Sequence, residues 1–254
     1  MLELLMSASF WTAVSAIVAS LALLLSQIPP IRTFIGRRKP ILTTTPAISI
    51  THYLGAPNIQ LFLNIENDSP RSLKIKNISM QVTRLGTTNK TLPAFTIFEK
   101  PDSHIQTVFA PFTIKPESNW AKNVTFYAPF EGSVEQKLKS MQYKIRNSIN
   151  NKRNAIQHLG ADQPQPIVTA DETYVQEAIA FYNANKFWEP GDYSINLSIT
   201  TDSPKTSIQQ RYIFLLTLPE INELDSAAER YKFGSTLTYA DNTAWVYPSL
   251  RVNK

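Results

Sequence analysis

The sequence predicts a mainly β protein: an N-terminal transmembrane helix followed by an antiparallel β-sandwich that carries a helical insertion. Three observations lead there. The chain of 254 residues has no charged side chain from Leu4 to Ile31, after which Arg32, Arg37, Arg38 and Lys39 appear. From Ala47 onward, apolar and polar residues alternate between turn residues. Between 133 and 186 the apolar spacing lengthens from two to the period of a helix, about 3.6.

A helix crosses the bilayer core with about 20 mostly apolar residues. The segment 10–28 (FWTAVSAIVASLALLLSQI) has that length, and Pro29 and Pro30 end it. Its hydroxyls can bond back to the helix's own carbonyls. A cleaved signal peptide is disfavoured, because the preceding residues hold Glu3 and no Lys or Arg, and no small-residue cleavage site follows. The reading is a signal anchor, with a buried helix of a soluble protein as the plain alternative. The basic flank of Arg32, Arg37, Arg38 and Lys39 then puts the N-terminus outside and the rest of the chain in the cytoplasm.

The strand signals follow in order. Ile48 and Ile50 open the alternation, and Ile59, Leu61, Leu63 and Ile65 share one face of the next strand. Asn67-Asp68-Ser69-Pro70 is a turn. Leu73 and Ile75 alternate, and Ile78, Met80 and Val82 resume one residue out of phase. That slip at Lys76-Asn77 predicts a β-bulge. Further strands are expected at 95–98 and 105–109, and a hairpin should join 112–114 to 120–127 across Pro116-Glu117-Ser118-Asn119.

The alternation stops near Pro129. Val134, Leu138, Met141, Ile145, Ile149, Ile156 and Leu159 form one helical stripe. Gly160 is the expected cap of that helix, and Asp171 would cap a second helix running to about Asn185. Strands return as a hairpin of 193–199 and 208–216. Pro219 opens a short helix, and a last hairpin is expected around Asp241-Asn242. The divisions are a flank at 1–9, the transmembrane helix at 10–28, a basic juxtamembrane linker at 29–46, and the first part of the sandwich at 47–132. The helical insertion at 133–186, the last core strands at 187–217, and a C-terminal helix with a candidate hairpin at 218–254 complete it.

The order of anchor, Arg-Arg-Lys-Pro flank and the strand-turn-strand from Asn64 to Ile75 resembles uncharacterised bacterial single-pass membrane proteins. The segment Phe187-Trp188-Glu189-Pro190-Gly191-Asp192-Tyr193 resembles the approach to a late strand of an immunoglobulin-like sandwich. The resemblance implies an Ig-like antiparallel β-sandwich after the anchor, and no activity.

Composition and motifs exclude several chemistries. The chain has no cysteine, which removes disulfides, thiolate metal sites and thiol nucleophiles. Its seven glycines form no phosphate-cradling loop. There is neither an H-E-x-x-H nor a G-x-S-x-G. His52, His104 and His158 lie in different elements. No catalytic residue, cofactor or metal is expected, and the chain is read as a non-enzyme. The net charge of +5 is concentrated in the linker and the first insertion helix. There Lys137, Lys144, Arg146, Lys152 and Arg153 are the candidate contacts for an anionic surface. Nucleic acid is not the expected partner.

The leading expectation is therefore a non-enzymatic interaction or scaffold module at the cytoplasmic face of a bacterial inner membrane. It would bind a partner protein through a sheet edge or the helical insertion. One alternative is a membrane-tethered sensor or effector that takes an anionic ligand on the basic helix. Another is a periplasmic envelope module of opposite topology.

Overall fold

Strand β5 (Asn89–Phe98) determines the architecture by changing partners midway. Its residues 89–93 pair with β4 (Leu73–Arg84), and its residues 94–97 pair with β8 (Ser118–Tyr127). A register shift between Ala94 and Thr96 marks the change, and a bulge of this kind bends a strand sharply. The structure is a computed structural model that describes residues 8–27, 38–84, 89–99, 105–156, 166–235, 237–238 and 244–253.

The result is one 11-stranded antiparallel sheet that curls upon itself. The remaining strands are β1 (Ile41–Thr44), β2 (Ser49–Tyr53), β3 (Ala56–Asn67), β6 (Gln106–Val108), β7 (Phe112–Ile114), β9 (Gly191–Thr201), β10 (Ile208–Leu216) and β11 (Arg251–Val252). Their spatial order is β1-β3-β8-β5-β4-β9-β10-β11, with β2 on β3, β6 on β5 and β7 on β4. The expected Ig-like sandwich of two separate sheets is thus corrected to a single curled sheet, because β5 belongs to both halves. The inward residues of β3, β4, β8, β9 and β10 fill the space inside the curl. Leu61, Ile65, Met80, Phe126 and Tyr193 are among those fully buried there.

The bulge in β4 lies where the phase of the alternation predicts it. Ile75 opposes Thr201 and Asn77 opposes Thr200, so the slip keeps Ile75, Ile78, Met80 and Val82 all in the core. The expected hairpin of 112–114 with 120–127 does not form. β7 pairs with β4 instead, and β8 pairs with β3. The chain crosses between the two halves of the sheet at Lys115–Glu117, where Glu117 takes a positive φ of 50°. Buried Asn67 supports this crossing by donating to the carbonyls of Arg71 and Lys115, each at 2.9 Å.

The C-terminal segment closes the other side of the curl. Ile50 donates to Val246 at 2.9 Å and accepts from it at 3.0 Å, and Leu250 donates to Pro46 at 2.7 Å. Asn253 then donates to Arg211 of β10 at 3.0 Å. Residues 241–243, around which a hairpin is expected, lie outside the described residues, and 244–250 run beside 46–50 instead.

The insertion consists of α2 (Gly132–Ile156) and α3 (Glu172–Asn185). With α4 (Leu218–Ser226) and the 3-10 turn Ala227–Phe233 it encloses a second core around Met141, Ile145, Phe181 and Tyr231. The β2–β3 hairpin tip joins the two cores. Leu54 and Gly55 have φ of 49° and 92°, the left-handed pair that a tight two-residue hairpin turn favours. Leu54 offsets its backbone strain by burying its side chain in the helical core. Gly55 lies against the end of α3, where an added Cβ would stand 2.7 Å from the Tyr182 carbonyl oxygen and the Asn185 carbonyl carbon.

The expected transmembrane helix at 10–28 is overturned. Residues Ala8–Gln27 do form a helix, α1, but among the described residues no helix is long and apolar enough to cross a membrane. Freedom from charge is not the same as continuous hydropathy. Thr12, Ser15, Ser20 and Ser26 punctuate the run, and its longest stretch free of polar side chains is only 21–25. The Ser20 and Ser26 hydroxyls bond back to the helix at 2.8 and 2.7 Å, as anticipated. The membrane, single-pass and signal-anchor readings rested on that span and fall with it.

Gly55→Ala should destabilise the fold by about 3 kcal/mol or more, or prevent folding, since both its φ and its surroundings exclude a Cβ. Gly132→Ala, at φ 60° with nothing within 4 Å, should cost only about 1 kcal/mol. Chemical denaturation of the two variants checks this, and equal losses would contradict the close approach.

Candidate functional site

The basic residues singled out by sequence do not form one surface. Steps of seven and eight put Lys137, Lys144 and Lys152 on one side of α2, while Arg146 and Arg153 lie on the other. Lys144 pairs with Glu177 of α3 at 2.9 Å, and Lys152 with Asp171 at 2.6 Å. The Lys152 ammonium, with Ser148, holds the Asp171 carboxyl below the usual carboxylate range. Two of the five candidate basic residues are thus used to dock α3. Of the flank residues, Arg38 and Lys39 are exposed just before β1, and Arg32 and Arg37 lie outside the described residues.

One buried cluster gathers several polar side chains. His52, at the end of β2, is 6% exposed. Its Nδ1 accepts from the Gly55 N–H at 3.2 Å, so its proton sits on Nε2, which donates to the Leu224 carbonyl at 2.9 Å. The ring packs 4.8 Å from Tyr182, whose hydroxyl donates to Asp225. Lys186 holds the other Asp225 oxygen at 2.6 Å. Burial is the leading cause that raises the Tyr182 and Tyr231 phenols well above their ordinary value. Trp188 donates to the Thr51 carbonyl at 2.8 Å beside this cluster.

The geometry is that of a latch. A neutral histidine fastens the hairpin tip to α4, and an ion pair fastens the end of α3 to the same helix. The sequence marks His52 only as an isolated histidine. Its partners are backbone groups of Gly55 and Leu224, and backbone groups leave no residue-type signature. His104 and His158 lie outside the described residues. Among the described residues, no three His, Asp or Glu side chains are grouped to hold a metal ion.

A groove of about 440 Å³ lies beside β10. Ile213, Leu215 and Tyr247 supply its apolar part, and Asp192, Glu220 and Arg251 its charge. Leu215 is 52% exposed and Tyr247 64%. Strand topology explains why the groove is open. Among the described residues the C-terminal segment runs beside β10 only from Arg211 to Ile213. Continued in that register, Ser249 would oppose Leu215, but Ser249 instead bridges Ala47. The Arg211 carbonyl faces this edge, since it accepts from Asn253. Backbone direction alternates along a strand, so the N–H and C=O of Leu215 also face it.

No protein-family model matches the chain, and no curated protein does. Two solved structures show some likeness. A crystal structure of a protein from Archaeoglobus fulgidus is 9% identical, with 72% of this chain and 99% of that one covered and a TM-score of 0.26. The structure of Spo0M, a sporulation control protein from Bacillus subtilis, is 11% identical, with 78% and 56% covered and a TM-score of 0.26. Neither likeness is close enough to carry a conclusion about this chain.

The latch predicts acid sensitivity. Burial leads in pushing His52 below its ordinary 6.5; Lys186 acts with it, and Leu224 and Asp225 oppose it. The unfolded chain therefore binds the proton more readily than the fold does. Stability is complete above about pH 6.5 and falls as the pH drops below it. Thermal unfolding at about pH 7.5 and about pH 5 should show this loss, and His52→Gln should flatten it. An unchanged slope in the variant would show that His52 is not its source.

Proposed function

We propose that this chain is a non-enzymatic interaction module that receives an extended segment of a partner protein at the open edge of β10. The carrying observation is Leu215. Its side chain is exposed, its backbone groups face an unpaired edge, and a groove lies alongside. Strand addition at such an edge obtains its affinity from main-chain hydrogen bonds and its selectivity from side-chain pockets.

The change of character along the outer face of β10 supports this reading. Sheet edges are usually blunted by charge, proline, bulges or covering segments. On the outer face of β10, Gln209 and Arg211 give way to Ile213 and Leu215. Leu218, 59% exposed, extends the apolar area at the start of α4. The buried polar cluster around His52 favours no second reading, because its groups are consumed in holding helices to the hairpin.

A photoreactive amino acid placed at Leu215 in the full chain should form an adduct with a partner protein in the native cell. The same group at Thr91, exposed on β5, should not. Adding Ile213→Lys should reduce the Leu215 adduct by roughly tenfold, equivalent to about 1.4 kcal/mol. Adducts that are absent from both positions, or equal at both, would refute a site at this edge.

A further inference from the structure

We infer that His52 is an acid-sensitive trigger. When its ring takes a second proton, the β2–β3 tip leaves the helices, and the unit of α2, α3 and the 3-10 turn opens while the sheet core stays folded. A fall in overall stability with acid leaves open which part yields first, and the hydrogen-bond geometry around the ring decides it.

The first step is at Nδ1. In the closed fold this nitrogen accepts from the Gly55 N–H at 3.2 Å, while Nε2–H donates to the Leu224 carbonyl at 2.9 Å. A proton on Nδ1 turns an acceptor into a donor and sets two N–H groups against each other. Turning the ring over brings no relief, because ring carbons would then face both partners. The charged groups beside the ring offer no new acceptor. Asp225 of α4 has one carboxylate oxygen on the Tyr182 hydroxyl and the other on Lys186, just past the end of α3. Burial leads in raising the phenols of Tyr53, Tyr182 and Tyr231, so they stay neutral in acid. The imidazolium is left in a site only 6% exposed, without a partner at Nδ1, and movement of the tip relieves it.

The second step is set by what the tip carries. The Gly55 carbonyl accepts from the Phe187 N–H at 3.1 Å, and the Leu54 side chain is a buried member of the helical core. A tip that moves therefore breaks a bond to the residue after Lys186 and takes Leu54 away from the cluster of Met141, Ile145 and Phe181. The sheet core shares no buried residue with that cluster, so it loses no member. The other bond of the ring survives, since Nε2 carries its proton in both forms and Leu224 belongs to the sheet core. Acid thus frees the tip from the helices while β2 stays tied to α4. The open form takes the proton near the ordinary 6.5, and the closed form only below it. Opening rises by up to about tenfold for each pH unit below about 6.5, and levels off once the closed form also titrates.

Amide hydrogen exchange of the full chain at about pH 7.5 and about pH 5 tests this, read as protection factors so that the pH dependence of exchange itself is removed. Protection of the Gly55, Phe187, Met141 and Ile145 amides should fall by about tenfold or more at the lower pH, to a common level below that of the β3–β8 ladder. A dye that binds apolar surface should bind there too. In His52→Gln the side-chain amide can accept from Gly55 and donate to Leu224 without titrating. This variant should keep tip and helix protection nearly constant and bind no dye. Should His52→Gln not fold, the ring 15N shifts of His52 in the unsubstituted chain replace it, and the loss of protection must follow the titration of the ring. Helices and β3–β8 ladder protected to the same level at about pH 5 would mean that the chain opens only as a whole, and would overturn the inference. Unchanged protection at the tip would overturn it as well, as would a loss that persists in His52→Gln or departs from the titration of the ring.

Discussion

Strand β5 is laddered to β4 in its first half and to β8 and β6 in its second, and the arrangement of the sheet follows from the switch from β4 to β8. Backbone donors and acceptors that a sheet takes out of water must find partners within it. Residues 89–93 satisfy theirs on β4 and residues 94–97 on β8. The shift between Ala94 and Thr96 lets the strand bend between these partners. The two halves of the sheet thereby face each other without an edge between them on that side. On the opposite side the C-terminal segment performs the same service, bonding to 46–50 and then to β10. A segment this short cannot run beside both strands over their full lengths. It leaves β10 beyond Ile213, and the open edge is the geometric remainder of closing the curl.

The second constraint lies where the sheet meets the helices. The β2–β3 tip approaches the end of α3 so closely that only glycine fits at position 55. The Gly55 carbonyl accepts from the Phe187 N–H at 3.1 Å, and its N–H donates to His52. Both polar groups of that one residue are used within the junction. Leu54 beside it belongs to the helical core, while Ile50 and Ile59 on either side belong to the sheet core. Two adjacent turn residues thus couple two apolar clusters, with the neutral His52 tying them to α4. This explains how a polar, lysine-rich insertion becomes part of the fold. Its stripe of Leu138, Met141, Ile145 and Ile149 has the hairpin tip as well as α3 to pack against.

What the sequence revealed and what it hid divide along one physical line. Periodicity reports which face of an element is buried, and it does so from local residues alone. The β4 bulge was visible because Ile75 and Ile78 change phase. The α2 stripe and the β9–β10 hairpin were visible for the same reason. Pairing partners are set by distant residues, and alternation carries no record of them. That is why β7 and β8 looked like a hairpin when each belongs to a different half of the sheet. It is also why one strand shared between two halves looked like a sandwich of two sheets. The N-terminal run shows a different limit, since the lack of charge there masked the regular interruption by hydroxyls. Lys144 and Lys152 of α2 looked free because the carboxylates that engage them, Glu177 and Asp171, belong to the next helix and its start. Of the groove, sequence gave only the strand; its openness follows from where Ser249 goes.

The outer face of β10 carries a contrast that folding alone does not require. Gln209 and Arg211 occupy its first half, and Ile213 and Leu215 its second. Exposed apolar side chains are common singly on protein surfaces. Here Leu215 and Tyr247, each more than half exposed, line one groove with Ile213. Burial in the core cannot account for them, because the inward side of the same strand already supplies Tyr212, Phe214 and Leu216. A polar residue at 215 would satisfy the fold and would guard the edge against unwanted pairing. An apolar residue stands instead where the backbone is unpaired. An open backbone beside an apolar face is the combination on which the proposed docking at β10 rests.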